Sequence, residues 1–128
     1  MEIFGRENYF VEIQDHGIPE QKKIIPGLLK LAEEFNLKVI CTNDVHYVRH
    51  TDAGPHDAML CIAHSTHLDS ADRIRSSPEA FVKSAPMMEE LFADLPEALA
   101  NTLVVAQRCA FAPPRRKPIL PSLAGDLE

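Results

Sequence analysis

Residues 9–46 read YFVEIQDHGIPEQKKIIPGLLKLAEEFNLKVICTNDVH, and the changes of period inside this stretch decide the fold. Tyr9 to Ile13 sets aromatic and β-branched residues around Glu12, the pattern of a buried or half-buried strand. QDHGIPE then reads as a turn, because Gly17 permits backbone angles closed to other residues and Pro19 suits the first turn of a helix. From Pro19 to Phe35 the apolar residues Ile24, Ile25, Leu28, Leu29, Leu31, Ala32 and Phe35 return at helical spacing, opposite a face of lysines and glutamates. Pro26 lies inside this run and predicts a kink or a break. Asn36 suits the C-terminal cap, and Leu37 to Cys41 begins a second short strand. Strand, helix and strand in this order predict one βαβ unit, with parallel strands and the helix crossing over one face.

That geometry gives the next residues, Cys41-Thr42-Asn43-Asp44-Val45-His46-Tyr47, a particular setting. In parallel α/β sheets the reactive groups collect just beyond the carboxyl ends of the strands, where loops vary while the sheet holds them. Asp44 and His46 fall at that edge, and in extended backbone residues two apart point to the same side. A carboxylate and an imidazole so placed suit Zn, Mn or Fe better than Ca or Mg. Two ligands do not complete a coordination sphere, so spacing alone leaves open both a ligand pair and a structural strand end. Asp15 and His16 occupy the corresponding loop after the first strand, where the simpler reading is a turn aspartate beside a solvent-exposed histidine.

Beyond His46 the pattern becomes helical. Thr51 or Asp52 is a candidate N-cap, Pro55 marks a first turn, and Ala58, Leu60, Cys61 and Ile62 are apolar. The segment from Ser65 to Phe81 is polar and aperiodic and reads as a connector. Ser84 then caps a helix opened by Pro86, with Met87, Met88, Leu91 and Phe92 as its apolar face and the two methionines as gap-filling core residues. A last helix is predicted from Pro96 to about Cys109, with Leu99, Leu103, Val104 and Ala106 inward. Four segments follow: 1–50 as the βαβ part, 51–83 as helix and connector, 84–112 as a second helical part, and 113–128 as a Pro-rich linker that reads as a cut edge. His56 and His64 lie two turns apart on one predicted helix and His67 lies in the connector, so these three do not make a zinc site by themselves.

Composition sets the outer bounds. At 128 residues, 45% hydrophobic and 25% charged, the chain has ordinary globular usage and no apolar run near the roughly 20 residues of a membrane span. No membrane role is expected. The start of the chain lacks the order of a secretory signal, so a cytoplasmic setting is expected. Cys41, Cys61 and Cys109 are odd in number and set among apolar residues, as buried thiols are. The formal charge of -6 argues against wrapping nucleic acid unaided, and Arg115, Arg116 and Lys117 beside prolines read as a solvated linker. No phosphate loop and no Ser-His-Asp or Cys-His arrangement occurs at usable spacing. The residues by themselves give the C-terminal part of an α/β domain and a helical extension.

Several segments in order, FGRENYFVEIQDHGIPEQKK, IPGLLKLAEEF, CTNDVHYV, DAGPHDAMLCIA, LFADLPEALANTLVVAQRC and RKPILP, resemble the alpha-subunit family of bacterial DNA polymerase III. The resemblance falls on the end of its polymerase and histidinol phosphatase (PHP) domain and the run into the polymerase core. It implies the C-terminal βαβ portion of a PHP-type distorted (βα)7 barrel followed by a helical extension. It implies that Asp44 and His46 are the family's last metal ligands, Asp-x-His, for a divalent Zn, Mn or Fe; some members replace the histidine and lose the metal. The upstream ligands of the family have no match here, and no ligand role carries onto His16. For the parent chain the resemblance implies a DNA-directed DNA polymerase in DNA replication, using Mg on palm carboxylates outside these residues. The implied partners are primer-template DNA, deoxynucleoside triphosphates, a proofreading exonuclease subunit and a sliding clamp. The PHP domain would either support 3'-5' exonuclease proofreading or serve as a non-catalytic platform for the proofreading subunit. A stand-alone PHP phosphoesterase is the other reading. The fragment alone, without palm residues, is expected to be inactive.

Overall fold

The computed structural model describes residues 3–117. Strand β1 (Phe10–Ile13) pairs in parallel with β2 (Lys38–Cys41), Phe10 opposite Lys38 and Ile13 opposite Cys41. Helix α1 (Pro19–Glu34) connects them, as the βαβ pattern predicts. Alternation is plain in β1, where Val11 and Ile13 are buried and Glu12 between them is exposed. The helix opens with Pro19 at its first position and closes on Asn36, whose φ of 50° is left-handed. There the Leu37 amide reaches the Ala32 carbonyl at 2.8 Å and the Asn36 amide the Glu33 carbonyl at 3.1 Å, which satisfies the last turn.

Of the kink or break expected at Pro26, no break occurs. Helix α1 runs through it without division, because Pro26 lies on the exposed side and the Lys22 residue whose carbonyl loses a partner is also exposed. Water can serve that carbonyl.

After β2 come a short 3-10 turn (His50–Asp52), α2 (Ala53–Ala63), α3 (Ala85–Leu91) and α4 (Pro96–Arg108). The main apolar cluster joins Ile13 and Cys41 of the two strands to Phe92 and Ala98, with Ile25, Leu28 and Leu29 of α1 and Met88 of α3 packed against it. Met87 is the more exposed of the two methionines, so only Met88 fills a core gap. Helix α4 lies against β2; of the residues its apolar periodicity turns inward, Leu99 packs against the core and Val104 is half-buried, but Leu103 and Ala106 do not face it. Ala98 is buried, whereas Leu103 is 67% exposed and Ala106 is exposed. The reason is Asn101, one turn beyond Ala98, whose side-chain amide donates to the Val39 carbonyl at 2.9 Å. Thr42 turns its amide toward Ile13 of β1, so by alternation Val39 offers its polar groups to the opposite edge of β2. A polar residue therefore supplies a contact position on α4, and an apolar count does not register it.

The expected N-caps stand in place, Asp52 before α2 and Ser84 before α3, but neither side chain bonds the helix it precedes. The Asp52 carboxylate instead turns back to accept from the Arg49 amide at 2.9 Å. The connector has no regular element, yet it is tied down. Phe81 forms an isolated parallel bridge with Tyr47, and these two with Ala80 make a second buried cluster. Among the described residues no helix is long and apolar enough to cross a membrane. The part of the Pro-rich segment beyond Lys117 lies outside the described residues.

Candidate functional site

Asp15 and His16 follow β1 and Asp44 and His46 follow β2, so the pairing of the strands brings the two loops together at one edge. A cavity of about 290 Å³ opens there, with His16, Asp44, His46, His56 and Arg75 among its lining residues. Asp44 does not have the extended backbone that spacing assumes: its φ is 39°, in the left-handed region. Aspartate tolerates this conformation better than most residues, at a cost of about 1–2 kcal/mol. The two side chains still lie close, but for a different reason. His46 Nδ1 is 2.7 Å from the Asp44 carbonyl oxygen and 4.0 Å from its Oδ2. A carbonyl only accepts, so Nδ1 carries a proton, and in the neutral ring Nε2 has the lone pair a metal would need.

Both side chains remain open, 44% exposed for His46 and 59% for Asp44. Imidazole nitrogen and carboxylate oxygen fit two positions of a Zn, Mn or Fe sphere. Among the described residues no group of three or more His, Cys, Asp or Glu stands close enough to hold a metal. The pair fits part of a site.

His16 is not the solvent-exposed turn residue that its loop suggests; it is buried, 7% exposed. Its Nε2 lies 2.8 Å from the Asn43 carbonyl and its Nδ1 3.0 Å from Gln21 Nε2. Asp15, by contrast, forms the expected turn, accepting from the Gly17 amide at 2.8 Å. Lys83 donates to Asn43 Oδ1 at 3.1 Å and pairs with Glu79 at 3.2 Å, while Asn43 Nδ2 donates to the Phe81 carbonyl at 2.6 Å. The Lys83 ammonium also sits 4.3 Å from the Phe81 ring centroid, which offsets the cost of a side chain only 5% exposed.

His56 is the residue that sequence reasoning passes over. Measured along α2 against His64 it leads nowhere, but its ring centroid lies 5.8 Å from that of His46 and 5.2 Å from that of Tyr47. Its Nδ1 is 2.9 Å from Ser76 Oγ. No local signal announces this, since α2 comes back beside His46 only after the turn at His50–Asp52. His64 and His67 stay exposed and apart from the site. Behind His56, Asp57 and Arg73 form a two-pronged ion pair, with Asp57 Oδ2 at 2.6 Å from Arg73 Nη2. The guanidinium hydrogen bonds hold the Asp57 carboxyl below the usual carboxylate range and raise the Arg73 pKa in turn.

Of the cysteines, Cys41 and Cys61 are buried free thiols as expected, and Cys109 is exposed because it lies past the last residue of α4. Burial pushes the Cys41 thiol up to about 11.

Among the described residues the fold is a small α/β segment with two parallel strands and four α-helices, with Asp15, His16, Asp44 and His46 beyond the carboxyl ends of the strands. Sequence comparison places it more closely. It is 43% identical over 120 residues to DNA polymerase III subunit alpha of Caulobacter vibrioides, covering 94% of this chain and 10% of that protein. The same subunit of Treponema pallidum is 39% identical over 93% of this chain, and that of Campylobacter jejuni 43% identical over 81%. No family model matches. The chain is thus homologous to one segment of bacterial DNA polymerase III alpha subunits, and it spans about a tenth of the length of those relatives.

Proposed function

We propose that this chain is the part of a replicative DNA polymerase III alpha subunit where a PHP domain ends and the approach to the polymerase core begins. The observation that carries the reading is the coincidence of homology to one segment of such subunits, over 94% of this chain, with an Asp-x-His pair beyond the carboxyl ends of two parallel strands. The βαβ order suits the closing strands of a PHP-type distorted (βα)7 barrel, and α3 and α4 suit the helical extension after it. In the intact subunit Asp44 and His46 hold a divalent Zn, Mn or Fe together with ligands from outside these residues. An ion held there would supply Lewis-acid chemistry suited to phosphodiester hydrolysis of the 3'-5' proofreading kind. The chain's own contribution is the orientation of one imidazole, through the bond of its Nδ1 to the Asp44 carbonyl. DNA synthesis from deoxynucleoside triphosphates on primer-template DNA belongs to Mg-binding palm residues elsewhere in the subunit, which works with a proofreading exonuclease subunit and a sliding clamp.

The test is His46→Ala in the full-length protein, with bound metal measured by elemental analysis. Loss of metal with retained primer extension is expected, and unchanged metal content would remove the ligand assignment. The flanking coding sequence is a second check, since the reading requires an upstream His-x-His motif and a downstream palm with paired aspartates.

A further inference from the structure

We infer that His16 is the positioning residue for the Asp44–His46 pair, acting through the Asn43 backbone, and that it is not a metal ligand itself. The inference rests on the metal role proposed above for Asp44 and His46. Its first ground is the proton assignment. The Gln21 amide nitrogen only donates, so His16 Nδ1, 3.0 Å away, must accept and carries no proton. The proton then sits on Nε2, and the Asn43 carbonyl 2.8 Å from it can only accept. Both contacts agree on one neutral tautomer. Gln21 fixes that tautomer from two sides, because its Oε1 also accepts from the His16 amide at 2.8 Å, and Ser77 Oγ donates to the His16 carbonyl at 3.1 Å. Neither ring nitrogen is left for a metal.

The second ground is where the bond lands. Asn43 immediately precedes the left-handed Asp44, and it is held at its carbonyl by His16, at Oδ1 by Lys83 and at Nδ2 by the Phe81 carbonyl. A residue fixed at three points dictates the direction of the next peptide, and a left-handed backbone persists where the surroundings over-determine it. The Asp44 carbonyl so aimed receives His46 Nδ1–H, which in turn sets the His46 ring. Ordering therefore runs from Gln21 on α1 through His16 and Asn43 to the imidazole of His46, across 27 residues of sequence at the His16–Asn43 bond.

The experiment compares His16→Gln and His16→Phe in the full-length protein, with His46→Ala alongside. Glutamine places a donor near the position of the histidine Nε2, whereas phenylalanine fills the space and donates nothing. Metal affinity is measured by competition with a chelator, and the visible spectrum of the Co-substituted protein reports ligand geometry. Expected are a loss of about 10-fold or more in affinity with an altered Co spectrum for His16→Phe, and near wild-type values for His16→Gln. Wild-type affinity and spectrum in His16→Phe would overturn the inference. So would equal losses in both variants with a matching fall in thermal midpoint, which would mark a merely structural histidine. If His46→Ala keeps its metal, the ligand reading itself fails; if it loses metal while His16→Phe does not, the positioning role alone fails.

Discussion

Around Ile13, Cys41, Phe92 and Ala98 the chain is held by apolar contact, whereas beyond the carboxyl ends of β1 and β2 polar side chains reach backbone groups 27 to 61 residues away. The first kind of contact is non-directional and scales with area, so it tolerates small shifts. The second fixes atoms to within hydrogen-bond geometry and tolerates little. A pair that is to serve as metal ligands, the role proposed for Asp44 and His46, needs the second kind. The core thus sets how firmly the strands are held, and the polar lattice sets where Asp44 and His46 stand.

The largest effect that could break this contrast comes from the core. Phe92→Ala removes a ring that is 5% exposed and should cost about 3–5 kcal/mol. Hydrogen exchange in the full-length protein should then show the β1 and β2 amides losing protection together with α3 and α4. A loss confined to α3 would mean that the apolar cluster is not one unit.

Asn43→Ala is the matching change in the polar region. It deletes the bonds to Lys83 and to the Phe81 carbonyl and should cost about 1–3 kcal/mol. Faster exchange is expected in the loop around Asp44 and in the segment near Phe81, with β1 and β2 still protected. If both regions loosen equally, the division between them is wrong.

A smaller effect follows from acid. The Asp57 carboxyl is held low by Arg73, so its stabilising contribution is fully present above the unfolded carboxylate value of about 3.9 and is lost as pH falls through the lower folded value. Exchange protection of α2 and the connector should therefore drop below about pH 4 more steeply in the wild type than in Asp57→Asn. Identical profiles would show that the ion pair contributes nothing there. Smallest in free energy is a contrast of thiols: at pH 8 an alkylating reagent should modify Cys109 and spare Cys41, whose thiol is buried and raised to about 11. Rapid modification of Cys41 would mean that the core opens readily.

Much of the fold was legible along the chain. The strands, the helix between them, the Asn36 cap and the parallel pairing all follow from local signals, since period, proline placement and turn chemistry act within a few residues. Where those signals misled, a distant contact or exposure to water outweighed them. Leu103 is exposed while Asn101 docks on the edge of β2, and Pro26 leaves α1 undivided because the Lys22 carbonyl that loses its partner is on an exposed residue. The loop pair Asp44 and His46 was visible as a motif, but not the left-handed turn between the strand and the histidine.

The sequence by itself determined the βαβ unit, the edge at which Asp15, His16, Asp44 and His46 fall, and the homology to one segment of DNA polymerase III alpha subunits. Tertiary structure alone decided that His16 turns inward to Asn43, that His56 comes back beside His46, and that the connector locks onto Tyr47. The physical reason is that periodicity reports which side of an element is apolar, while a hydrogen bond between residues far apart in sequence exists only after the chain has folded around it.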